Sequence, residues 1–197
     1  MMRRVADGAE LRGRQVCAVD LVVVALVVSP VHRCEGRPRD GAADLPAGAP
    51  PERRREVRVE AGRGVVGDRY FGRAAHAGAA VTVVDAVALE SVADQLGVPR
   101  FDPALARRNV VLRRVDGAPL GLEALRGHVL SLDCGDGPVH LAGGRAASPC
   151  AWMDVLLAPG AHAGLRGRGG LRCEPVGSGV LRVGPAALLV SPAPDPS

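Results

Sequence analysis

Short runs of valine and leucine, most of them bounded by glycine, proline or aspartate, recur along the chain. Runs this short have the length of β-strands, whereas helices usually need ten or more residues. We predict strands over residues 19–28, 56–60, 80–84, 109–112, 128–134, 138–142, 171–176 and 180–183. Many short strands separated by turn residues are typical of a barrel or a sandwich. The pattern therefore predicts a mainly β fold.

Two segments have helical spacing instead. Apolar side chains recur near the helical period over residues 84–96, and Gly97 followed by Pro99 predicts the end of this helix. A shorter helix is predicted over residues 151–157, before Pro159. We therefore expect a few helices at the periphery of the β domain.

The chain of 197 residues is long enough for one domain with its own core. We divide it into a poorly patterned N-terminal extension over residues 1–20, a barrel-like domain over 21–190 and a flexible tail over 191–197. Residues 35–54 form a long irregular stretch that is rich in proline. A stretch of this length is expected to be a lid over a site or a disordered loop.

The composition argues against nucleic acid as a partner. Aromatic residues make up 2% of the chain, and grooves for single-stranded nucleic acid need aromatic stacking platforms. The net charge of +4 is mild, and no dense basic face for duplex DNA is evident. We therefore expect no nucleic-acid partner.

The cysteines and the apolar runs indicate a cytoplasmic protein. Five cysteines occur without a Cys-x-x-Cys pair, so neither a disulfide framework nor a structural zinc site is predicted. The apolar run over residues 21–28 is too short to cross a bilayer, and no small-residue cleavage site follows it. We interpret it as a buried first strand, and we expect reduced thiols and no membrane association.

Cys150 is the candidate for chemistry. Pro149 stiffens the approach to it, and Trp152 and Met153 follow closely enough to shield a site. A thiolate is a soft ligand for a transition metal or a carrier for sulfur. The glycine-arginine loop over residues 165–172 is suited to an oxyanion. The other four cysteines have no feature that distinguishes them from small buried hydrophobes.

Three further features each have two interpretations. The glycine-rich segment 62–72, which contains Asp68 and Arg69, is a turn between strands or a ligand loop, and it matches neither a phosphate-binding nor a dinucleotide-binding fingerprint. The segment 107–109, Arg-Arg-Asn, either binds an anion or is a run of solvated charges in which Asn109 caps a turn. Among the histidines, His76 is the best candidate for a pocket, although a lone histidine is more often a surface residue.

Five motifs in one order resemble the MOSC family, which is named for the C-terminal domain of molybdenum cofactor sulfurase. They are Val-x-Gly-Asp-Arg-Tyr-Phe-Gly at 65–72, Val-Thr-Val-Val-Asp at 81–85, Arg-Arg-Asn-Val-Val at 107–111, Pro-Cys-x-Trp-Met-Asp at 149–154 and Gly-Arg-Gly-Gly-Leu-Arg at 167–172. The resemblance covers roughly residues 21–188. It implies a β-barrel with a few peripheral helices that binds the molybdenum cofactor, a pterin with a dithiolene and a phosphate.

The resemblance also implies roles for individual residues. Cys150 would ligate molybdenum or carry sulfur as a persulfide. Arg69, Arg108, Asn109 and Arg168 would be candidates for the phosphate and the pterin, and Asp68, Trp152 and His76 would join them at the cofactor. The family pattern is broken at Ala147, where close relatives often carry a second cysteine, at Ala151, where they carry an aromatic residue, and at Pro185, where a Gly-Asp pair usually closes the pattern.

Two functions follow from the resemblance. In the first, the protein is a molybdenum-dependent reductase component that acts on N-oxygenated small molecules and takes electrons from a separate redox protein. In the second, it is a carrier of sulfur or of the intact cofactor, loaded by a sulfur-donor protein and without turnover of its own. We expect neither the PLP-binding domain of the sulfurase nor a reductase-type electron-transfer domain in this chain. Any catalysis would therefore need a partner.

Overall fold

The structure is a computed structural model that describes residues 18–192. It confirms a mainly β fold. The strands are β1 (Ala18–Val27), β2 (Arg53–Arg54), β3 (Glu56–Glu60), β4 (Gly64–Val65), β5 (Val81–Asp85), β6 (Val110–Arg114), β7 (His128–Asp133), β8 (Pro138–Ala146), β9 (Leu171–Pro175), β10 (Gly179–Arg182) and β11 (Gly184–Pro192).

Seven strands close into a barrel in the order β1-β11-β7-β8-β9-β5-β6, after which β6 pairs with β1 again. All of these neighbours are antiparallel except β5 and β6, which are parallel. β2 extends the sheet beyond β1, and β3, β4 and β10 form a small second sheet. Closure pairs the barrel strands on both edges, so the barrel presents no long open edge to other chains.

Alternating apolar side chains of the strands fill the barrel interior. Val81 and Val83 of β5 and Leu171 and Cys173 of β9 are completely buried there. The residues between them point outward, because successive side chains of a strand lie on opposite faces. The outer face therefore carries the second core and the polar residues described below.

Three helices pack on the outer face of the barrel. They are α1 (Ala86–Leu96), α2 (Trp152–Leu156) and α3 (Ala161–Gly164). Their buried side chains, such as Val92 and Met153, form a second apolar cluster with outward residues of the barrel, such as Val111. The Asp85 side chain accepts a hydrogen bond from the Val87 backbone N–H, and Gly97 ends the helix in the left-handed conformation at φ 64°.

All eight predicted strands and both predicted helices occur, with boundaries shifted by a few residues. α1 begins two residues later than predicted because Asp85 caps it. β11, nine residues long, was not predicted as a strand, and the strand also extends beyond residue 190 to Pro192. The two-residue strands β2 and β4 and the short helix α3 were not predicted either.

The long stretch 35–54 carries a 3₁₀ helix, Pro38–Asp40, and the strand β2. β1 already begins at Ala18, inside the predicted N-terminal extension. The remainder of that extension, with Cys17, and the last residues of the predicted tail lie outside the described residues. Among residues 18–192, no helix has the length and apolar character that crossing a membrane requires.

Candidate anion-binding site

Four arginines line a pocket of about 100 Å³ at one end of the barrel. It lies where β5 and β6 begin and β1 ends. The arginines are Arg69, Arg107, Arg108 and Arg172, and the polar side chains with them are Ser29, Asp68, Tyr70, Thr82 and Asn109. We call this the arginine pocket. Small-molecule pockets usually measure roughly 300–1,000 Å³, so its size suits a small anionic group more than a whole ligand.

The pairing of β5 with β9 brings two of these residues together. Thr82 lies directly opposite Arg172 in the register, between the pairs Val81–Cys173 and Val83–Leu171. The flanking pairs fill the barrel interior, so Thr82 and Arg172 share the outer face. A guanidinium is thereby fixed on a rigid sheet at the pocket wall.

Asn109 connects three segments around the pocket. Its Oδ1 accepts hydrogen bonds from the backbone N–H and the hydroxyl of Thr82, both at 2.9 Å. Its Nδ2 donates to the Val27 carbonyl at 3.1 Å and to Oδ2 of Asp68 at 3.2 Å. The side-chain amide is thus committed to protein partners, and Asn109 positions the pocket wall.

Asp68 is a buried carboxylate whose hydrogen bonds come from groups other than arginine. Oδ2 accepts from the Ser29 backbone N–H at 3.0 Å and from Asn109, while Oδ1 accepts from the Tyr70 backbone N–H at 3.1 Å. Asp68 forms no ion pair with the described basic residues. The carboxylate therefore fixes the turn over residues 67–70 and leaves the nearby guanidiniums available.

Arg69 and Arg172 carry unused donors. The Nε atoms of both are buried and have no hydrogen-bond partner among the described residues. A buried donor without an acceptor costs about 1–3 kcal/mol, so such groups are rare and need an explanation. Arg69 also stacks on the Tyr70 ring, with Cζ 4.4 Å from the ring centroid. An oxyanion in the pocket would supply the missing acceptors.

Arg108 links the pocket to the segment before Cys150. Its Nη2 donates to the Ala147 carbonyl and its Nε to the Gly169 carbonyl, each at 3.0 Å. Burial of the guanidinium and repulsion from Arg172 lower its pKa to about 10, and a Cys150 thiolate opposes this shift. Arg108 thus keeps an uncompensated positive charge and holds the chain that leads to Cys150.

The fourth guanidinium, Arg107, shares a carboxylate with Arg33. Nη1 of Arg107 lies 3.3 Å from one oxygen of Glu52, and Nη1 of Arg33 lies 2.9 Å from the other. Burial alone would raise the pKa of Glu52. The Ser29 hydroxyl and the two guanidiniums outweigh burial and lower that pKa below its ordinary value. These pairs attach the long segment before β3 to the pocket.

Cys150 is exposed at the start of α2 and does not line the arginine pocket. It is nevertheless close enough for a Cys150 thiolate to affect the titration of Arg108 and of Cys34. Cys34 is half-buried and packs against the same apolar cluster that contains Trp152 and Met153. Burial raises the pKa of the Cys34 thiol, Arg107 opposes this shift, and Cys150 adds to it. Two thiols therefore border the site.

A second cavity of about 380 Å³ adjoins the arginine pocket and shares Arg69 and Tyr70 with it. His32 and His76 also line it, and the His76 ring lies 4.6 Å from the Tyr70 ring between centroids. His76, selected from the sequence, therefore faces a cavity of ligand size. We call this the histidine cavity.

The structure brings together some of the predicted site residues and separates others. Arg69, Arg108, Asn109 and Asp68 line the arginine pocket. Arg168 does not: its guanidinium donates to Ser91, Gln95 and the Gly164 carbonyl and so holds α1 to the loop after α3. Trp152 is buried in the second apolar cluster and serves packing.

The predicted set of site residues omitted, among others, Arg172, Arg107 and Cys34. Arg172 alternates with the buried Leu171 and Cys173, a pattern that could have identified it as an outward residue of a strand. Arg107 was named with Arg108 and Asn109 as a residue that could meet an anion, but it was left out of the predicted cofactor-binding set. Cys34 has no local pattern that distinguishes it from a small apolar residue.

Among the described residues, no group of three or more His, Cys, Asp or Glu side chains is arranged to hold a metal ion. The described residues provide hydrogen-bond donors for an anion, and Cys150 provides a single thiol that could ligate a metal.

Comparison with solved structures supports the barrel fold. The YuaD protein from Bacillus subtilis is 16% identical, with a TM-score of 0.65 over 90% of this chain and 99% of that chain. A second solved structure, of a hypothetical protein, is 12% identical, with a TM-score of 0.53 over 85% of this chain and 68% of that chain. No family model and no curated protein matches the sequence. At these identities the likenesses carry the fold alone.

Proposed function

We propose that the protein binds the molybdenum cofactor, with the cofactor phosphate in the arginine pocket and the Cys150 thiolate on molybdenum. The observation that carries this proposal is a pocket lined by four guanidiniums, two of which, those of Arg69 and Arg172, have a buried Nε without a hydrogen-bond partner among residues 18–192. Guanidiniums bind phosphate oxygens with charge-assisted hydrogen bonds, often two at a time. The donor set therefore fits a phosphate.

The neighbouring groups fit the remainder of such a ligand. The histidine cavity is of ligand size, and Arg69 and Tyr70 line both it and the arginine pocket. One ligand could occupy both, with its anionic group in the arginine pocket and an uncharged ring system in the histidine cavity. Cys150 lies within electrostatic range of Arg108, which supports one molecule reaching both the thiol and the phosphate site.

As a reductase component, the protein would use the cofactor to remove oxygen from N-oxygenated small molecules. When bound, the cofactor supplies a redox-active metal, and a separate redox protein supplies electrons. The chain itself would bind the phosphate through Arg69 and Arg172, hold the approach to Cys150 through Arg108, and offer the exposed face near Cys150 to substrate.

Metal analysis of protein purified without oxygen from a cofactor-producing host tests this proposal. We expect about one molybdenum per chain in the wild type and loss of the metal in Cys150→Ser. Cys134→Ser is the matched control, because Cys134 donates to the Arg182 carbonyl and lines none of the pockets described above. The proposal would be refuted by a folded wild type without molybdenum, or by equal molybdenum in the wild type and in Cys150→Ser.

A carrier of sulfur is the second candidate, and the position of Cys34 favours it. The sequence lacks the second cysteine of close relatives at Ala147, yet Cys34 supplies a thiol from another segment. A Cys150 persulfide could pass its terminal sulfur to the Cys34 thiolate. One S–S bond breaks as another forms, and Cys150 leaves as a thiolate.

Mass spectrometry distinguishes this candidate from the first. After loading with a persulfide donor, the carrier function predicts an extra sulfur on Cys150 in Cys34→Ser and on both cysteines in the wild type. It also predicts no persulfide on Cys34 in Cys150→Ser. Absence of extra sulfur on Cys150 in both the wild type and Cys34→Ser would reject the carrier function while leaving the cofactor proposal intact.

A further inference from the structure

A second cavity with arginines on its walls lies outside the site described above. Its volume is about 720 Å³, within the usual range for small-molecule pockets. Val24 and Ala25 of β1 line it together with Pro51 and Val183, and the arginines are Arg53, Arg54, Arg55 and Arg182. It shares no lining residue with the arginine pocket. We call it the β1 groove.

The groove coincides with a gap in strand pairing. β1 pairs with β11 up to Val23 opposite Gly184, and it pairs with β2 from Leu26 opposite Arg54. Between these two contacts, Val24 and Ala25 have no neighbouring strand on that edge. The register of β1 against β6 also shifts there, which indicates a β-bulge. The apolar side of the groove is therefore built into the barrel wall.

Two of the four arginines in the groove lack a counter-charge within the described part of the chain. Arg53 pairs with Asp102, and Arg182 pairs with Glu56 and Asp136. Arg54 and Arg55 form no ion pair with any carboxylate of residues 18–192. Glu56 is the one acidic residue among those that line the groove, and Arg182 neutralises it. An excess of positive charge thus borders an apolar surface, of which Val183 is 45% exposed.

We infer that the β1 groove is a second ligand site, which takes an amphipathic anion. The anionic head, a carboxylate or a phosphate, would lie against Arg54 and Arg55. The apolar chain would cover Val24 and Val183. Burial of apolar surface favours the complex, and the guanidiniums select the sign of the head group. The inference is independent of the molybdenum cofactor.

Calorimetric titration with decyl phosphate, below its micelle concentration, tests the inference. We expect binding to the wild type, binding at least ten-fold weaker in the double variant Arg54→Gln/Arg55→Gln, and weaker binding in Val183→Ser. Arg58→Gln is the matched control, because this exposed arginine of the adjacent β3 does not line the groove. These substitutions are at half-buried or exposed side chains, and thermal unfolding verifies that each variant is folded.

Two comparison ligands identify the site. Decanoate should depend on Arg54 and Arg55 in the same way, whereas decyltrimethylammonium should bind weakly or not at all. Equal binding of the cationic and anionic chains would overturn the inference, since the contact would then be apolar only. Decyl phosphate that loses its affinity in Arg172→Gln but not in the double variant would also overturn it, because the ligand would then occupy the arginine pocket.

Discussion

Nη2 of Arg108 donates to the Ala147 carbonyl across 3.0 Å, three residues before Cys150. The same guanidinium lines the arginine pocket and donates to the Gly169 carbonyl. A single buried side chain therefore fixes the distance between a cluster of positive charge and the approach to the exposed thiol. This link makes the pocket and Cys150 parts of one candidate site.

Removal of the Arg172 guanidinium should stabilise the protein in phosphate-free buffer. Arg172→Met deletes a buried donor without a partner, which costs about 1–3 kcal/mol, and relieves repulsion with Arg108. We expect the free energy of unfolding in urea to rise by about 1 kcal/mol or more. Added inorganic phosphate should stabilise the wild type but not this variant.

The exposed Arg126 provides the control for that prediction, since Arg126→Met removes the same charge outside the pocket. It should leave both stability and the response to phosphate close to those of the wild type. An Arg172→Met protein that is less stable than the wild type, and is stabilised by phosphate to the same extent, would contradict the prediction. It would show that the Arg172 guanidinium is neither destabilising without an anion nor needed to bind one.

Asn109→Asp should destabilise the fold strongly. The substitution replaces the two N–H donors to Val27 and Asp68 with a second carboxylate beside a buried one. Breaking a buried network in this way costs about 3 kcal/mol or more. Gln95→Glu makes the same amide-to-carboxylate change on the surface, next to Arg168, and should be nearly neutral. Chemical denaturation of both variants would reveal whether the expected difference exists.

Glu52 should make the free energy of unfolding depend on pH in the acid range. Its folded-state pKa lies below the ordinary value of 4.5, so the unfolded chain takes up this proton first as the pH falls. Its contribution is therefore complete above about 4.5 and is lost as the pH falls through the folded-state pKa. The difference in unfolding free energy between wild type and Glu52→Gln should be constant near neutral pH and shrink in acid. A difference that grows in acid would contradict this assignment.

The cysteines should react with a thiol reagent in the order Cys150, Cys34, Cys173. Cys150 is exposed, burial raises the pKa of the Cys34 thiol, and burial raises that of Cys173 to about 12. The thiolate is the reactive form, so Cys173 should be labelled only after unfolding. Timed labelling with N-ethylmaleimide and peptide mass spectrometry gives the order. Early labelling of Cys173 in the folded protein would contradict its burial in the barrel.

Two glycines of the loop before β9 should differ sharply in how much stability is lost when each is replaced by alanine. Both have positive φ, +75° at Gly167 and +99° at Gly170. A Cβ at Gly167 meets open space, whereas one at Gly170 would lie 2.0 Å from the Val83 carbonyl oxygen. Gly167→Ala should cost about 1–2 kcal/mol of backbone strain, and Gly170→Ala considerably more. Equal losses in urea denaturation would argue against the close approach of this loop to β5.

Local patterns in the sequence predicted most strands and both longer helices, because alternation and helical spacing are local properties. β11 was missed because glycine and proline are poor strand formers, yet Gly184 and Pro185 begin the strand that closes the barrel against β1. The predicted site omitted Arg172, whose position opposite Thr82 depends on pairing between distant segments. Arg168 was chosen from the same loop, but contacts with α1 turn its guanidinium away.

X-ray absorption at the molybdenum edge tests the central claim most directly. Protein reconstituted with the cofactor should show one more sulfur neighbour of molybdenum in the wild type than in Cys150→Ser, with Cys134→Ser equal to the wild type. The extra sulfur would be the Cys150 thiolate, beside the two sulfurs of the dithiolene. An identical sulfur shell in the wild type and Cys150→Ser, at equal metal content, would contradict the assignment of Cys150 as the metal ligand.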